Sequence, residues 1–151
     1  MLRMSKLTDY GTMVLAELAT NGHGLSTASQ VADATHLTLP TVSKLLKSLA
    51  HSGLVVSARG AQGGYALARP AATISAAEIL DALEGPVALT DCSSSAGACD
   101  LESFCRVGTA WQRINHSIRK ALEGVSLADL QARREPLPTL RADVRKAAAA
   151  P

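Results

Sequence analysis

All three cysteines of this 151-residue chain lie in one short stretch, CSSSAGACDLESFC, at positions 92, 99 and 105. Small residues fill most of the first gap, so the segment could wrap its thiols around one centre. Thiolates are ligands of zinc and of iron–sulfur clusters. Structural zinc sites usually have cysteine pairs with about two to four residues between them. Because the gaps here are wider, the spacing favours a larger cluster with Cys92, Cys99 and Cys105 as ligands.

Three cysteines leave a fourth ligand to come from elsewhere. The local candidates are Asp91, Asp100 and Glu102, whereas His116 lies 11 residues beyond Cys105. A non-cysteine ligand is easier to displace, which suits a sensor better than an electron carrier. A zinc site and three unligated thiols, one of them reactive, remain alternatives. Structural disulfides are not expected, because the number of cysteines is odd and the predicted compartment is reducing.

The bulk sequence indicates a cytoplasmic protein with a polyanionic partner. No apolar run is as long as the ~20 residues needed to cross a bilayer, and the first residues, MLRMSKLTDYG, lack the apolar core of a secretory signal. We therefore expect no membrane partner. Residues 1–70 contain six basic and three acidic side chains, whereas residues 71–130 contain four basic and eight acidic ones. This distribution predicts that the first half meets the polyanion.

The first half of the chain contains three predicted helices. An apolar helix over residues 7–19 is followed by a short one that begins at the capping-box pair Thr27 and Gln30. The third helix begins near Pro40 and ends at Gly53, and its apolar residues have the i, i+3, i+4, i+7 spacing of a buried face. A helix, a helix, a tight turn and a helix form a helix-turn-helix, whose last helix suits the major groove of DNA.

A predicted β-hairpin follows, with strands over residues 54–58 and 65–68 around the loop RGAQGG. The predicted fold is therefore mainly α with a small β-hairpin wing, a winged helix-turn-helix. The expected DNA-contacting residues lie on the third helix and on the wing: Thr41, Ser43, Lys44, Lys47, Arg59, Gly60 and Gln62.

Each of these features has a simpler interpretation. A helix face with lysine and serine is commonly only solvated surface, and a glycine-rich loop can hold a phosphate. Their combination favours DNA, because hydroxyl and lysine groups follow a tight turn and an arginine stands at the wing tip. The loop GAQGGY lacks the lysine of a P-loop and precedes a strand. We expect double-stranded promoter DNA as a partner and no enzymatic activity.

The second half is predicted to hold the thiols and to pair two chains. The capping-box residues Ser75 and Glu78 begin a helix that ends at Gly85, and a cysteine loop over residues 86–105 leads into a longer helix. That helix has an apolar stripe with nearly heptad spacing: Val107, Trp111, Ile114, Ile118, Ala121 and Val125. The stripe predicts a homodimer, the alternative being packing within one chain. The predicted organisation is residues 1–70 for DNA binding, 71–130 for cluster binding and dimerisation, and 131–151 as a flexible tail.

Taken together, these residues give the chain a resemblance to the iron–sulfur winged-helix regulator family typified by IscR, NsrR and RirA. Within that family it looks most like regulators of the SUF cluster-assembly operon. The resemblance covers roughly residues 2–130. It rests on LRMSKLTDYG, GLVVSARGAQGGYALARP, ISAAEILDALEG and the cysteine trio followed by Trp111. The wing motif RGAQGGY combined with three cysteines is the most specific part.

The resemblance implies a homodimer with the cluster near the dimer interface and with cluster-dependent DNA affinity. It implies the three cysteines as ligands and places Thr41, Ser43, Lys44 and Arg59 at the DNA surface. In NsrR-like members an aspartate of the first helix, supplied by the other subunit, completes the cluster, and Asp9 has that position here. The alternative is that Asp9 is a helix N-cap or a first-turn acid favoured by the helix dipole.

The chain also departs from the family pattern. The first cysteine gap is one residue longer than the common one, and the histidine that follows the last cysteine in IscR is replaced by the stretch Arg106–Gly108. The sequence is therefore compatible with either a 2Fe–2S or a 4Fe–4S cluster. The prediction is a cluster-sensing repressor of SUF genes. The alternatives are a cluster carrier or thiol-redox protein with the winged helix as a protein-interaction module, and a zinc-stabilised regulator.

Overall fold

The computed structural model describes residues 4–22, 24–90, 93 and 104–132. Within these residues the chain is mainly helical with one two-stranded antiparallel sheet, which confirms the predicted fold class. The elements are α1 (Lys6–Thr20), α2 (Ala28–Thr35), α3 (Leu39–His51), β1 (Val55–Ala58), β2 (Gly64–Leu67), α4 (Ala76–Glu84), α5 (Gly108–Glu123) and α6 (Leu127–Gln131). The predicted ligands Cys92 and Cys99, the carboxylates Asp91, Asp100 and Glu102, and the tail from residue 133 lie outside the described residues.

Side-chain caps fix the starts of most helices. The Ser5 hydroxyl accepts hydrogen bonds from the first-turn amides of α1, and the predicted capping boxes at Thr27 and Ser75 are both confirmed. A further capping box at Ser126 begins α6. Each cap provides a hydrogen-bond acceptor for first-turn amides that have no partner inside the helix, and so determines the residue at which the helix begins. The end of α3 is set by Gly53, whose φ of 78° is in the left-handed region.

One aliphatic core joins the two halves of the chain. The predicted inward face of α3 is buried, as are the inward faces of α1 and α2. Ile74, Ile79 and Leu127, which come from the second half of the chain, are at most 2% exposed in the same cluster. Since aromatic residues make up only 3% of the chain, the core depends on close packing of branched aliphatic side chains.

The wing is held against the helices by backbone hydrogen bonds. In the antiparallel pair, Ser57 lies opposite Tyr65, and β2 also exchanges two hydrogen bonds with Ser26, the residue that precedes the capping box of α2. Both wing glycines before Tyr65 are sterically required. A Cβ on Gly63 would lie 2.5 Å from the Ala58 carbonyl oxygen, and one on Gly64 would lie 2.8 Å from that of Ser26.

Helix α5 stands apart from the core, and the chain then returns to it. The Leu127 amide donates to the Ile74 carbonyl oxygen at 2.7 Å, and the Gln131 side chain donates to the Ala16 carbonyl oxygen of α1 at 2.8 Å. These bonds place α6 beside α1 and the start of α4. In the described part of the chain, no helix is both long and apolar enough to cross a membrane.

Candidate nucleic-acid interface and sulfur site

The outer face of α3 carries the predicted DNA contacts. Lys44 and Lys47 are exposed, and Thr41 and Ser43 are half-buried at the start of the same helix. Their orientation follows from the burial of the opposite face, which fixes how α3 can rotate. Ser48, which shares the polar face in sequence, instead donates a 3.4 Å hydrogen bond to the Ala82 carbonyl oxygen of α4. The polar surface available to a ligand therefore includes Thr41, Ser43, Lys44 and Lys47 but not Ser48.

The start of α3 differs from the capped helices. Its N-cap residue, Thr38, makes no side-chain hydrogen bond to the first-turn amides, and its hydroxyl lies 2.8 Å from that of Thr41. Amides of an uncapped first turn are donors for an anionic group such as a phosphate. This geometry agrees with a DNA-facing helix start.

The predicted wing contacts are all exposed. Arg59, Gly60 and Gln62 lie at the tip of the hairpin, and Gly60 has a φ of 115° that a residue with a Cβ adopts poorly. Because α3 packs against β1, the hairpin and the helix are carried by adjacent parts of one rigid unit. The Asn21 amide nitrogen donates to the Ser26 hydroxyl at 2.7 Å, which further fixes the residue that binds β2.

Of the three cysteines, the structure describes Cys105. Its side chain is half-buried and lies just before α5, where a Cβ built on Gly108 would be 3.6 Å from its Sγ atom. Gly108 thus leaves space beside the sulfur. Within the described residues, no group of three or more His, Cys, Asp or Glu side chains could hold a metal ion. The donor chemistry of a thiol fits a soft metal centre, and the complete ligand set stays a prediction.

Asp9 lies in the first turn of α1, which agrees with the position of a first-turn acid, and its role as a ligand stays a prediction. The N-cap interpretation was wrong, because Ser5 occupies that position and Asp9 comes four residues later. Its side chain is exposed on the rim of a groove of about 820 Å³. This groove lies between α1, α4, α5 and α6, and its floor includes Ile79, Leu80 and Leu122. The Asp9 carboxylate is therefore accessible from outside the molecule.

The apolar stripe of α5 is only partly covered by the chain itself. Trp111 is 42% exposed and Ile114 is 44% exposed, whereas Ile118 is half-buried against the rest of the molecule. The exposure of these side chains favours an interface over packing of the stripe within one chain. Large apolar side chains lined up on one exposed helix face commonly belong to an interface.

Sequence reasoning missed the polar contacts that hold the segment before the cysteines. Asp81 forms a two-point ion pair with Arg119 of α5, with N–O distances of 3.1 and 2.8 Å. The pair raises the pKa of the Arg119 guanidinium above its ordinary value, chiefly through the hydrogen bonds that Arg119 donates to the Asp81 carboxylate. Glu84 and Asn115 make comparable contacts. Because these partners are 26 to 79 residues apart in sequence, no local sequence pattern predicts the contacts.

The winged fold with a basic reading helix and wing defines a DNA-binding transcriptional regulator. Comparison with known proteins makes this assignment specific: a family model covering residues 4–133 matches, and the chain belongs to the Rrf2 family, described as iron-dependent transcriptional regulators.

The chain is also similar to individual regulators. A protein of Azotobacter vinelandii described as an HTH-type transcriptional regulator, ORF2, is 30% identical over 146 residues, which are 96% of this chain and 88% of that protein. The solved structure of CymR, the global cysteine regulator of B. subtilis, is 29% identical with a TM-score of 0.68 and covers 89% of this chain and all of its own. IscR of T. potens is 31% identical with a TM-score of 0.64, over 85% of each chain.

Proposed function

We propose that this Rrf2-family regulator is a cytoplasmic homodimeric repressor whose DNA affinity depends on an iron–sulfur cluster, and that it controls SUF cluster-assembly genes. The observation that carries the proposal is the sequence position of three thiols in the stretch that leads into α5, the helix whose exposed apolar stripe suits pairing. The chain belongs to a family described as iron-dependent. Cys92, Cys99 and Cys105 would hold the cluster. The cluster would supply a soft metal centre that damage or shortage removes.

The fourth ligand is proposed to be Asp9 of the other subunit. Two features support it: the side chain is exposed, and it borders the groove beside α5. A ligand that comes from the partner would make cluster binding depend on dimer geometry. By linkage, cluster occupancy would then favour one dimer arrangement, and DNA affinity would change by the differential affinity of the cluster for the two arrangements.

The proposed operator contacts follow the surface described above. Thr41, Ser43 and Lys44 on α3 would reach base edges and phosphates, with Lys47 on the phosphate backbone. Arg59, Gly60 and Gln62 would place the wing tip in or along the minor groove. Two such units related by a dyad would read two half-sites about one helical turn apart, or a multiple of it.

The direct experiment is anaerobic purification with iron, sulfide and zinc quantitation, together with Cys→Ala variants at positions 92, 99 and 105. We expect iron and sulfide in the wild type and loss of visible absorbance in each variant. Ser95→Ala, which changes the same segment without removing a thiol, is the matched control and should keep its absorbance. A colourless wild type, or absorbance unchanged in all three variants, contradicts the ligand assignment, and zinc without sulfide would identify a zinc-stabilised regulator.

The fourth ligand has its own test. Asp9→Asn should leave a cluster that is lost more quickly in air, whereas Asp33→Asn, which changes another exposed acid, should match the wild type. Equal cluster lifetimes in all three proteins would exclude Asp9.

A second candidate function is thiol-based sensing without a cluster. It is favoured by the structural similarity to a cysteine regulator and by the half-buried thiol of Cys105. This candidate predicts an iron-free protein whose operator affinity changes on mild oxidation and recovers with a reductant. A cluster carrier, in contrast, would pass its cluster to an apo-protein and show no preference for promoter DNA.

A further inference from the structure

The segment that leads from α4 into the cysteine stretch is tied at both ends to other helices. We call residues 84–89 the stem. It begins at Glu84, the last residue of α4, and passes through Gly85, whose φ of 88° turns the chain away from the helix. Leu89 is its last residue, three positions before Cys92. Any change in the position of the thiols must therefore be passed to, or resisted by, the stem.

The first tie joins the stem to α1. One carboxylate oxygen of Glu84 accepts a 3.0 Å hydrogen bond from the Ser5 amide and a second, short hydrogen bond from the Thr8 hydroxyl. Thr8 is 4% exposed, so its hydroxyl is committed to this contact. The hydroxyl is also the main cause of a lowered pKa at Glu84, followed by the hydrogen bonds at Ser5. The charged carboxylate thus lies at the positive end of α1.

The second tie joins the stem to α5. The side-chain amide of Asn115 donates to the Val87 carbonyl oxygen at 3.1 Å and accepts from the Leu89 amide at 3.2 Å. One side chain therefore satisfies a donor and an acceptor of the same extended segment, as a neighbouring strand would. Asn115 is half-buried on the face of α5 that meets the body, beside Ile118 and Arg119, and a buried polar group is costly unless it is paired.

The helices at the two ends have different roles. Helix α1 packs directly on α3, which carries the operator contacts, and α5 carries the exposed apolar stripe and follows Cys105. The stem is thus the one described segment that lies next to the predicted first ligand and is hydrogen-bonded to both helices. A displacement of the thiols would pull on α1 through Glu84 and on α5 through Asn115.

We propose that Glu84 and Asn115 are positioning residues that couple the state of the thiol site to operator affinity. This inference rests on the proposed function, because it names the residues through which that site acts. Neither side chain needs to touch the cluster or the DNA. The ties hold the stem in one arrangement relative to α1 and α5. A change in the stem on cluster binding would therefore displace these two helices, whereas a flexible loop without the ties would not pass the change on.

The test compares operator affinity of cluster-loaded and cluster-free dimers, measured for the wild type, Asn115→Ala and His116→Ala. Couplings of this kind are typically about 5- to 150-fold. We expect a wild-type ratio in that range and a ratio within about 2-fold of unity in Asn115→Ala, with cluster absorbance and cluster-free affinity retained. His116 is the exposed neighbour on the same helix, and its variant should keep the wild-type ratio. Asn115→Asp keeps the acceptor for Leu89 and loses the donor to Val87, so its ratio should be intermediate.

The other tie is tested by Glu84→Ala, which removes the acceptor of both hydrogen bonds, and by Thr8→Val, which removes the hydroxyl and keeps the side-chain shape. Each should lower the ratio, and the double variant should lower it no further than Glu84→Ala alone, because both changes remove the hydrogen bond between Thr8 and Glu84. A readout independent of the cluster is hydrogen exchange of the Leu89 amide in the cluster-free protein. It should be about 10-fold faster in Asn115→Ala than in His116→Ala, as expected for an amide that loses its acceptor.

Failure of the inference can be told from failure of the proposed function. If the wild type has a ratio above unity and Asn115→Ala keeps it, while both affinities or the thermal stability fall together, the ties are merely structural and the inference is overturned. If the wild type itself has a ratio of one, the proposed function fails in the wild-type arm and no coupling remains for the ties to transmit. A Leu89 exchange rate equal in Asn115→Ala and His116→Ala would show that the second tie does not hold in solution.

Discussion

The DNA-binding part of this protein, residues 1–70 (the reading half), and the part that follows, residues 71–130 (the thiol half), are stabilised in different ways. In the reading half, the bounds and orientation of each element are determined by nearby residues: side-chain caps, glycine turns and an aliphatic face. In the thiol half, long-range hydrogen bonds of Glu84 and Asn115 hold the stem against α1 and α5, and the ion pair of Asp81 with Arg119 joins α4 to α5. A fixed geometry suits a surface that must match DNA. A small number of polar ties would suit a segment that responds to a ligand, as proposed above.

The largest expected effect is on the free energy of unfolding, which should fall on truncation of a buried apolar residue and change little at an exposed one. Leu45 is 1% exposed in the common core, and Leu45→Ala should lower the free energy of unfolding by about 2–5 kcal/mol. Ala121→Ser, on the exposed side of α5, should change it by less than about 0.5 kcal/mol in the separated subunit. Denaturant unfolding followed by circular dichroism measures both. Similar losses for the two variants would mean that the stripe on α5 is core after all.

The next prediction concerns the pairing of two chains. Ile114→Glu places a charge on the exposed stripe and should convert the dimer to a monomer, because an unpaired charge in an apolar interface is costly. His116→Glu places the same charge on the opposite side of α5 and should remain dimeric. Sedimentation equilibrium distinguishes them. A monomeric wild type, or a dimeric Ile114→Glu, would place the interface elsewhere.

The operator contact gives a moderate effect with a clear signature. Lys44→Ala should weaken operator binding and reduce the slope of log affinity against log salt by about 1, as expected for the loss of one phosphate contact. Lys120→Ala removes the same charge from α5 and should leave the slope unchanged. Fluorescence anisotropy at several salt concentrations tests this. An unaltered slope for Lys44→Ala would exclude a phosphate contact.

The smallest effect is the pH dependence of the stem. Because hydrogen bonds from Thr8 and Ser5 lower the pKa of Glu84 in the folded protein, ionised Glu84 contributes stability above the unfolded-state pKa. That contribution is lost as the pH falls through the lowered pKa. Glu84→Gln should therefore be less stable than the wild type at neutral pH and should approach it in acid. Thermal melts across the acid range test this, and a constant difference at every pH would mean that the carboxylate is not held as described.

Much of the reading half could be predicted from sequence, because its rules are local. The capping pair at Thr27, the buried face of α3 and the glycine turn of the wing each depend on residues a few positions apart, and so does the capping pair at Ser75 in the thiol half. The ties of the stem could not be predicted. A glutamate at the end of a helix and an asparagine inside one are ordinary residues until the fold brings Ser5, Thr8 and Val87 to them.

Asp9 shows the same division between local and long-range information. Its place in the first turn of α1 follows from local sequence. The N-cap interpretation of Asp9 was wrong because Ser5 is the N-cap residue: its hydroxyl accepts hydrogen bonds from the amides of Leu7 and Thr8. Whether Asp9 binds a cluster depends on a second chain and on the two earlier cysteines. Local patterns carry no information on either.

The central claim is that the state of the thiol site sets the affinity for DNA. The most direct measurement titrates one anaerobic sample of the wild-type dimer against a SUF promoter fragment, before and after removal of its iron by a chelator, with a scrambled fragment as control. We expect the promoter dissociation constant to change by about 5-fold or more, while binding to the scrambled fragment stays the same. Equal promoter affinity with and without iron would contradict it.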